Sequence, residues 1–553
     1  MIKIIFFLIL TIFYFFQTRE KFTDTDTYID TGTNTNIINK EFIIIGAGPA
    51  GLQAGYFLNK FKKDYIILEK SNTVGNFFTK FPIHRKLISI NKVHTGNNNK
   101  DYNLRHDWNS LLSNDNSLLF KNYTKEFFPP ADIYVKYLID YFQKNKLNVK
   151  FNVNVKEISK DSKNYFIIKT NEKTYCCKKL ILATGLFKSH SVNINGSIKY
   201  SDLNMEKKNF ENKKILIIGQ GNSAFEVADH LIDTAALIHI LGREALKFAW
   251  QTHYAGDLRA VNNNFLDTYQ LKSQNGIISL ELKYYNINKI NNKYFIIRKN
   301  SNKSLIDSIE DQAPKEGYDF VIDCTGFIFD DSIFNKKIKP ITNGKVPIIK
   351  PNFESENVSN LFVAGTLMQY ISWKKSSGAF VHGFRYLVRC LLRMETNNLK
   401  KHTLNSKDML VNKILYRINN SSGLYQMFGC LVDIVIILDN KFIYIEEIPK
   451  KLVESKLINN YDLLMIELNY GNFGGVIRFT KNLEKSSYVF GLDRVTGIEP
   501  ESAHESNFLH PILWLYKNKK LVKKHHISEH LLTEYKLVKT HILPLKNFIF
   551  NNL

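Results

Sequence analysis

The sequence predicts an α/β protein with two units of strand, glycine-rich turn and helix, followed by a β-rich C-terminal domain. Two segments support this: residues 42–60, FIIIGAGPAGLQAGYFLNK, and residues 214–231, KILIIGQGNSAFEVADHL. Each begins with a continuous apolar run, which is typical of a parallel strand covered on both faces. Beyond residue 400, short segments of alternating apolar residues predict antiparallel strands instead. These are CLVDIVIILDNKFIYIEEIP, YDLLMIELNYG and SSYVFGLDR.

The first turn has the pattern that holds the diphosphate of a dinucleotide. Gly46 permits a tight turn, Gly48 lets a phosphate approach the backbone, and Gly51 lets the helix pack on the strand. Pro49 and Ala50 open the helix, whose N-terminus offers N–H donors. The next apolar strand, YIILEK, ends with Glu69, where a carboxylate can accept hydrogen bonds from a ribose. Strand, glycines, helix and acid together predict a Rossmann-like unit.

The second turn repeats this pattern with a different strand end. Its residues are Gly219, Gly221, Asn222, Ser223 and Ala224, with alanine in place of the third glycine. The following strand, ALIHILGRE, ends in Gly242-Arg243 where the first unit has its acid. An arginine there can pair with a ribose 2′-phosphate, which favours NADP(H) over NAD(H). The alternative is an exposed strand-end arginine without a ligand.

Three further segments resemble the linkers of flavoproteins with two dinucleotide-binding domains. LILATGL (180–186, with Gly185) and FVIDCTGFIF (320–329) each pair a strand with a Thr-Gly turn, and residues 360–393 resemble the closing flavin motif at Gly365-Thr366. The superfamily usually has Gly-Asp there, so the usual carboxylate contact is replaced by a hydroxyl. The resemblance implies FAD on the first unit and NADP(H) on the second, with the two redox rings in contact.

The predicted organisation inserts the nicotinamide domain into the flavin domain. The segments are 1–20, a signal peptide or signal anchor; 21–40, a polar linker; 41–210, the N-terminal segment of the FAD domain; 211–330, the NAD(P) domain; 331–400, the C-terminal segment of the FAD domain; and 401–553, a β-rich C-terminal domain. We expect that last domain to bind a partner.

The N-terminus predicts targeting to the secretory pathway. Ile4–Phe16 is an apolar run of signal-peptide length, and no membrane span is expected beyond a possible N-terminal anchor. The net charge is +23, but the lysines are scattered among Asn and Ile. No nucleic-acid motif accompanies them, so we expect no nucleic-acid partner. The Asn-x-Ser/Thr sequons are compatible with a lumenal glycoprotein.

Two classes of flavoprotein fit the remaining motifs poorly. Thioredoxin-reductase-type enzymes need a Cys-x-x-Cys pair, and the five cysteines contain none. Flavin monooxygenases carry Phe-x-Gly-x-x-x-His before the second unit. Here Gly196 is kept, while Ile194 replaces Phe and Tyr200 replaces His. The chain is monooxygenase-like without the complete motif.

Longer segments resemble one family within the flavin monooxygenase-like superfamily, the FAD-dependent oxidoreductase domain-containing protein 2 family. They are FPIHRKLISINKVHTG (81–96), LRHDWNSLL (104–112), HYAGDLRAVNNNFLDTYQLKS (253–273), SSGAFVHGFRYLVR (376–389) and ESNFLHPIL (505–513). The resemblance implies a flavoprotein of the endoplasmic-reticulum lumen that acts in the degradation of misfolded glycoproteins. Its implied partners are lumenal reductases, lectins and the ubiquitin-ligase complex.

Three functional hypotheses follow. The first is an NADPH-linked oxidoreductase that passes electrons to a protein disulfide; the alternatives are a flavin monooxygenase and a flavin-loaded adaptor without catalysis. The chain ends in NFIFNNL, without a Lys-Asp-Glu-Leu-type signal, so retention is expected to need a partner or an uncleaved anchor.

No catalytic residue is identified from the sequence, and the candidates are few. Asn91 lies in a region that faces the flavin in related proteins, and His253 and Asp257 are four residues apart, which one helix face could hold. A structural role is the alternative for all three. His382 is expected to pack or cap a helix. Adjacent Cys176 and Cys177 could exchange with a partner's disulfide, although they cannot copy Cys-x-x-Cys geometry. No metal site is expected.

Overall fold

A computed structural model of the protein describes residues 37–204, 206–243, 246–270, 276–278, 282–299, 313–439, 441–471, 500–506 and 508–553. The predicted signal segment and the predicted strand SSYVFGLDR lie outside these ranges. Among the described residues, none of the helices has the length and apolar character needed to span a membrane.

The N-terminal third of the chain builds most of one sheet. Its elements are β1 (Ile37–Ile45), α1 (Pro49–Lys60), β2 (Tyr65–Leu68), α2 (Asn76–Lys80), α3 (Lys100–Asn103), α4 (Ala131–Lys144), β3 (Val149–Lys150), β4 (Val155–Lys160), β5 (Phe166–Thr170), β6 (Thr174–Leu182), β7 (Lys188–Ser189) and β8 (Ile198–Lys199). β1 begins inside the segment predicted as linker 21–40.

The described middle of the chain forms a second sheet and a hairpin. Its elements are β9 (Lys214–Ile218), α5 (Asn222–Leu231), β10 (Leu237–Leu241), α6 (Ala249–Thr252), β11 (Ile277–Ile278), β12 (Tyr285–Ile290), β13 (Lys293–Arg298), β14 (Phe320–Asp323) and β15 (Phe327–Ile328).

The described remainder closes the first sheet and forms a third. Its elements are β16 (Leu361–Val363), α7 (Val381–Glu395), β17 (Lys401–Leu404), α8 (Lys407–Asn420), α9 (Ser422–Gln426), β18 (Leu431–Leu438), β19 (Lys441–Pro449), α10 (Lys450–Leu452), β20 (Leu463–Asn469), β21 (His510–Lys517), β22 (Lys520–His526) and α11 (Leu543–Asn552).

The first sheet has the order β3-β2-β1-β6-β5-β4, and β16 pairs with β6. β1 lies between β2 and β6 and is parallel to both. Its residues Phe42, Ile43 and Ile44 are fully buried, as expected for a parallel strand covered on both faces. α1 begins at Pro49, because proline has the helical φ and needs no N–H partner in the first turn.

The second sheet, β11-β10-β9-β14-β8, is parallel throughout. The chain leaves the first sheet after β6 and returns at β16, so the second unit is inserted into the first. β8 precedes the predicted boundary at residue 211 yet pairs with β14 in the second sheet. The two segments that connect the units lie side by side, because β7 of the first segment pairs with β15 of the second.

The third sheet, β17-β19-β18-β20-β21-β22, is antiparallel. Leu464, Ile466 and Leu513 are fully buried, in one cluster with residues of α8 and α11. The predicted fold class, two Rossmann-like units and a β-rich C-terminal domain, is confirmed. The exact domain boundaries stay predictions.

Candidate functional site

The turn after β1 has no room for a side chain at Gly46 and Gly51, and it has open space at Gly48. Gly46 has φ +103°, and a Cβ there would lie 2.7 Å from the Ala183 carbonyl oxygen. A Cβ on Gly51 would lie 1.9 Å from the Gly46 carbonyl oxygen. At Gly48, between them, an added Cβ would meet no atom of the described residues within 4 Å. This is the arrangement a diphosphate requires, with open space at the second glycine before a helix N-terminus.

The turn after β9 has the same build. Gly219 has φ +120°, and a Cβ there would lie 2.5 Å from the Cys324 carbonyl oxygen. A Cβ on Gly221 would meet nothing within 4 Å in the part of the chain that the structure describes. Ala224, which replaces the third glycine, is fully buried in α5. The second turn therefore fits a second dinucleotide.

The closing motif reaches the first turn. Gly365 has φ +77°, and a Cβ there would lie 2.6 Å from the Ala50 Cβ. Gly185, also at positive φ, has open space around its Cα. The Thr366 hydroxyl donates to the Ala379 carbonyl at 3.0 Å, so it supports the following segment. Its predicted contact with FAD stays a prediction.

Glu69 holds the first turn in place. Its Oε2 accepts from the Ala47 N–H at 2.6 Å. Its Oε1 accepts from the N–H and hydroxyl of Ser71 at 2.8 and 2.6 Å. A carboxylate has about four acceptor positions, so a ribose contact at Glu69 is compatible with these bonds and remains a prediction.

The side chains of the second turn have divided roles. Asn222 Nδ2 donates to the Asp257 carbonyl at 2.9 Å, and its Oδ1 accepts from the Arg259 N–H at 3.0 Å. The side-chain amide of Asn222 therefore positions the loop after α6. The backbone N–H of Asn222 lies at the start of α5, where a phosphate would accept from it. The Ser223 side chain lies near the phenol of Tyr200. Arg243 is exposed, so its guanidinium is accessible to a 2′-phosphate.

Among the buried polar atoms without a hydrogen-bond partner in the described residues, one belongs to Asn91 and one to Thr184. Asn91 is 2% exposed and donates to the Thr124 carbonyl at 2.9 Å, while its Oδ1 has no such partner. The Thr184 hydroxyl, beside Ala183, also lacks one. Buried polar atoms are normally hydrogen-bonded. These atoms and the open turns fit a flavin dinucleotide, which carries many polar groups.

His382, at the start of α7, is packed against aromatic rings. Neither ring nitrogen has a hydrogen-bond partner in the described part of the chain, and the ring stacks on Trp108 with centroids 4.1 Å apart. Burial, and then the charges of Arg385 and Arg259, hold the pKa of His382 well below its usual value. The imidazole is neutral at pH 7, in agreement with the packing role expected for it.

The predicted shared helix face of His253 and Asp257 is wrong. α6 ends at Thr252, and His253 has φ +57°, so the chain turns away from the helix. His253 Nδ1 lies 3.0 Å from the Tyr470 hydroxyl, and Asp257 Oδ2 accepts from the Thr252 hydroxyl at 2.7 Å. The two side chains are thus separately bound. Their catalytic role, like that of Asn91, stays a prediction.

All five cysteines are free and buried. Burial raises the pKa of Cys176 to about 11 and that of Cys177 far above the usual value. Exchange requires an accessible thiolate, so neither residue is placed to exchange with a partner's disulfide. The sequence pattern alone could not show this burial.

Sequence reasoning missed the contact between Arg259 and Trp108. The guanidinium of Arg259 lies 4.8 Å from the Trp108 ring centroid. Both residues occur in segments that resemble the family, LRHDWNSLL and HYAGDLRAV. That resemblance was the available signal, although it did not indicate contact across 151 positions of sequence.

Tyr200, at the histidine position of the monooxygenase motif, donates to buried Glu226 at 2.9 Å.

The chain is similar to known proteins of one family. Residues 43–365 match the pyridine nucleotide-disulphide oxidoreductase family. The chain is 37% identical to FAD-dependent oxidoreductase domain-containing protein 2 of Mus musculus, over 93% of this chain and 84% of that protein. The Danio rerio protein of the same name is 35% identical, over 93% and 83%. The bacillithiol disulfide reductase Bdr of Staphylococcus aureus has a TM-score of 0.47 at 20% identity, over 66% of this chain and 98% of that one.

The predicted FAD- and NAD(P)H-dependent oxidoreductase is confirmed, and FAD and NADP(H) fit the two turns. The chain belongs to the FAD-dependent oxidoreductase domain-containing protein 2 family.

Proposed function

We propose that the protein is an NADPH-linked oxidoreductase of the endoplasmic-reticulum lumen that passes electrons to a disulfide of a partner protein during degradation of misfolded glycoproteins. The observation that carries the redox role is the open space at both Gly48 and Gly221. When bound, NADPH supplies a hydride and FAD accepts its two electrons.

The chain's own residues have separate tasks in this proposal. The N-terminal N–H groups of α1 and α5 bind the two diphosphates. Glu69 keeps the first turn in shape and accepts from a ribose, and Arg243 selects the 2′-phosphate. Asn222 holds the loop after α6 against the second turn, which fixes that loop relative to the nucleotide.

The electron acceptor in this proposal lies outside the chain. Each of the five cysteines is buried as a free thiol, so none forms a dithiol relay of the kind that Cys-x-x-Cys provides. A partner's disulfide would take two electrons and two protons and become two thiols. The partners of this protein would be lumenal reductases, lectins and the ubiquitin-ligase complex.

The lumenal location rests on the apolar run Ile4–Phe16 and the family resemblance. Protease protection of the full chain in intact microsomes, lost on adding detergent, is the expected result. Digestion in intact microsomes would contradict it. Co-precipitation from cells that express a misfolded glycoprotein tests the partners.

Anaerobic titration of the purified holoprotein tests the redox function. NADPH should abolish the absorbance of oxidised flavin near one equivalent, and NADH should require a much larger excess. Adding an oxidised protein disulfide should then restore the absorbance. Absence of flavin reduction at any NADPH excess would contradict the proposal.

Two further measurements separate the alternatives. A monooxygenase would couple oxygen uptake to a hydroxylated or S-oxygenated product. The substitution Gly221→Val closes the nicotinamide turn. A non-catalytic adaptor that carries it would support degradation as well as the unchanged protein does. We expect that variant to retain FAD and fail in degradation.

A further inference from the structure

A cavity of about 530 Å³ lies where the two Rossmann-like units meet the C-terminal domain. This volume is typical of small-molecule sites, which occur preferentially at domain interfaces. Aromatic side chains from all three regions of the chain line it. They are Trp108, Phe248, Trp250, Tyr425, Phe428 and Tyr470. Trp250 is 53% exposed, so the cavity is accessible to solvent at that residue.

The cation in this lining has no counter-charge in the described part of the chain. Arg259 lines the cavity, and among the described residues neither Asp nor Glu does so. Its guanidinium contacts the Trp108 ring at 4.8 Å. Burial lowers the pKa of Arg259 to about 10. Desolvating a charge without a partner is costly, so an anion in the cavity would offset that cost.

A second polar group in the lining also lacks a partner. Asn263 Oδ1 is buried without a hydrogen bond among the described residues, and Asn263 lines the same cavity. A buried acceptor without a donor is unfavourable. Within the described part of the chain, the cavity thus combines aromatic walls with a guanidinium that has no counter-charge and an acceptor that has no donor.

We propose that this cavity binds a small planar aromatic anion, with its carboxylate on Arg259 and its ring among the aromatic side chains. A guanidinium pairs with a carboxylate through two parallel N–H bonds, and aromatic rings stack or meet edge to face. This site goes beyond the proposed function, because it does not depend on the electron acceptor.

Calorimetric titration of the FAD-loaded protein with two matched probes tests the charge requirement. Naphthalene-2-carboxylate should bind at least about 10-fold more tightly than the neutral naphthalene-2-methanol, since a guanidinium forms stronger hydrogen bonds with a charged carboxylate than with an alcohol. Equal affinity of the acid and the alcohol would overturn the proposal. Absence of binding of either probe at millimolar concentration would do so as well.

Variants locate the site. Arg259→Met keeps the apolar stem and should weaken the carboxylate about 10-fold or more while leaving the alcohol unchanged. Arg298→Met, on the exposed end of the β13 hairpin, is the matched control and should bind both probes normally. Retained FAD and an unchanged unfolding midpoint establish that Arg259→Met is folded. Unchanged carboxylate affinity in that folded variant would contradict the assignment.

Competition with nucleotide separates this site from the cofactor turn. The backbone N–H of Arg259 donates to the Asn222 side chain, so Arg259 lies beside the second turn. An alternative role for its guanidinium is therefore to bind the cofactor's phosphates. Saturating NADP⁺ should change the affinity for the carboxylate by less than about threefold. Complete displacement by NADP⁺ would assign Arg259 to the nucleotide and overturn the separate site.

Discussion

The guanidinium of Arg417 forms two hydrogen bonds with the carboxylate of Asp433, Nε to Oδ2 at 2.7 Å and Nη2 to Oδ1 at 3.1 Å. Both side chains are buried, and Arg417 also lies 3.3 Å from Glu446 and 3.4 Å from Glu447. The contact joins α8 to the C-terminal sheet. Arg389 of α7 binds Glu447 at 2.6 Å, so the same charges join that sheet to the first unit.

Replacing this arginine should destabilise the C-terminal domain strongly. Arg417→Met leaves buried carboxylates without their main cation, which costs about 3–5 kcal/mol. Lys207→Ala removes an exposed pair with Asp233 and should cost less than about 1 kcal/mol. Urea unfolding of both variants checks the difference. Similar losses in the two would show that Arg417 is not the main counter-ion.

Alanine at successive glycines of one turn should give opposite results. A Cβ at Gly48 meets no atom of the described residues within 4 Å, so Gly48→Ala should fold normally and lose FAD. A Cβ at Gly51 would lie 1.9 Å from the Gly46 carbonyl oxygen, so Gly51→Ala should lose about 1–3 kcal/mol of stability. Flavin content and thermal unfolding distinguish them. Normal FAD content in Gly48→Ala would argue against a diphosphate at this turn.

Arg243→Gln should change nucleotide preference without affecting the fold. Losing a charge-assisted contact should raise the KM for NADPH about 10-fold or more, with the KM for NADH unchanged because NADH has no 2′-phosphate. Steady-state flavin reduction with both nucleotides measures this. An equal change in both KM values would place Arg243 outside the 2′-phosphate site.

The thiols should be protected in the folded protein. All five cysteines are buried, and burial raises the pKa of Cys430 to about 12, so a disulfide reagent should react slowly. Unfolding in guanidinium should release all five at once. Rapid reaction of one thiol in the folded holoprotein would identify an accessible cysteine.

Acid should weaken the C-terminal sheet before the carboxylates titrate. His510 Nε2 lies 2.8 Å from His526 Nδ1; burial lowers the pKa of His510 to about 4, and burial and then His510 lower that of His526 to about 3. Below pH 6.5 or so, the unfolded histidines bind protons that the folded ones do not. Stability should therefore fall from about pH 6.5 towards pH 4. Urea midpoints at several pH values test this, and His526→Asn should reduce the slope.

Some features of this molecule were accessible from sequence because the relevant interactions are local. The roles of Gly46 and Gly48 follow from spacing within a few residues, and strand alternation predicted β18, β19 and β20. The prediction for His253 and Asp257 failed because a left-handed residue ends α6. The His253 side chain contacts Tyr470, 217 positions away, which no pattern around α6 indicates.

The amino-acid sequence by itself determined the two nucleotide turns, their order and the antiparallel character of the C-terminal sheet, since short-range sterics and periodicity specify them. Only the tertiary structure decided which side chains are buried and which meet across domains. In the folded chain the cysteines are buried and Trp108 stacks on His382. Arg259 has no counter-charge among the described residues. These outcomes depend on packing between distant segments, which no local pattern encodes.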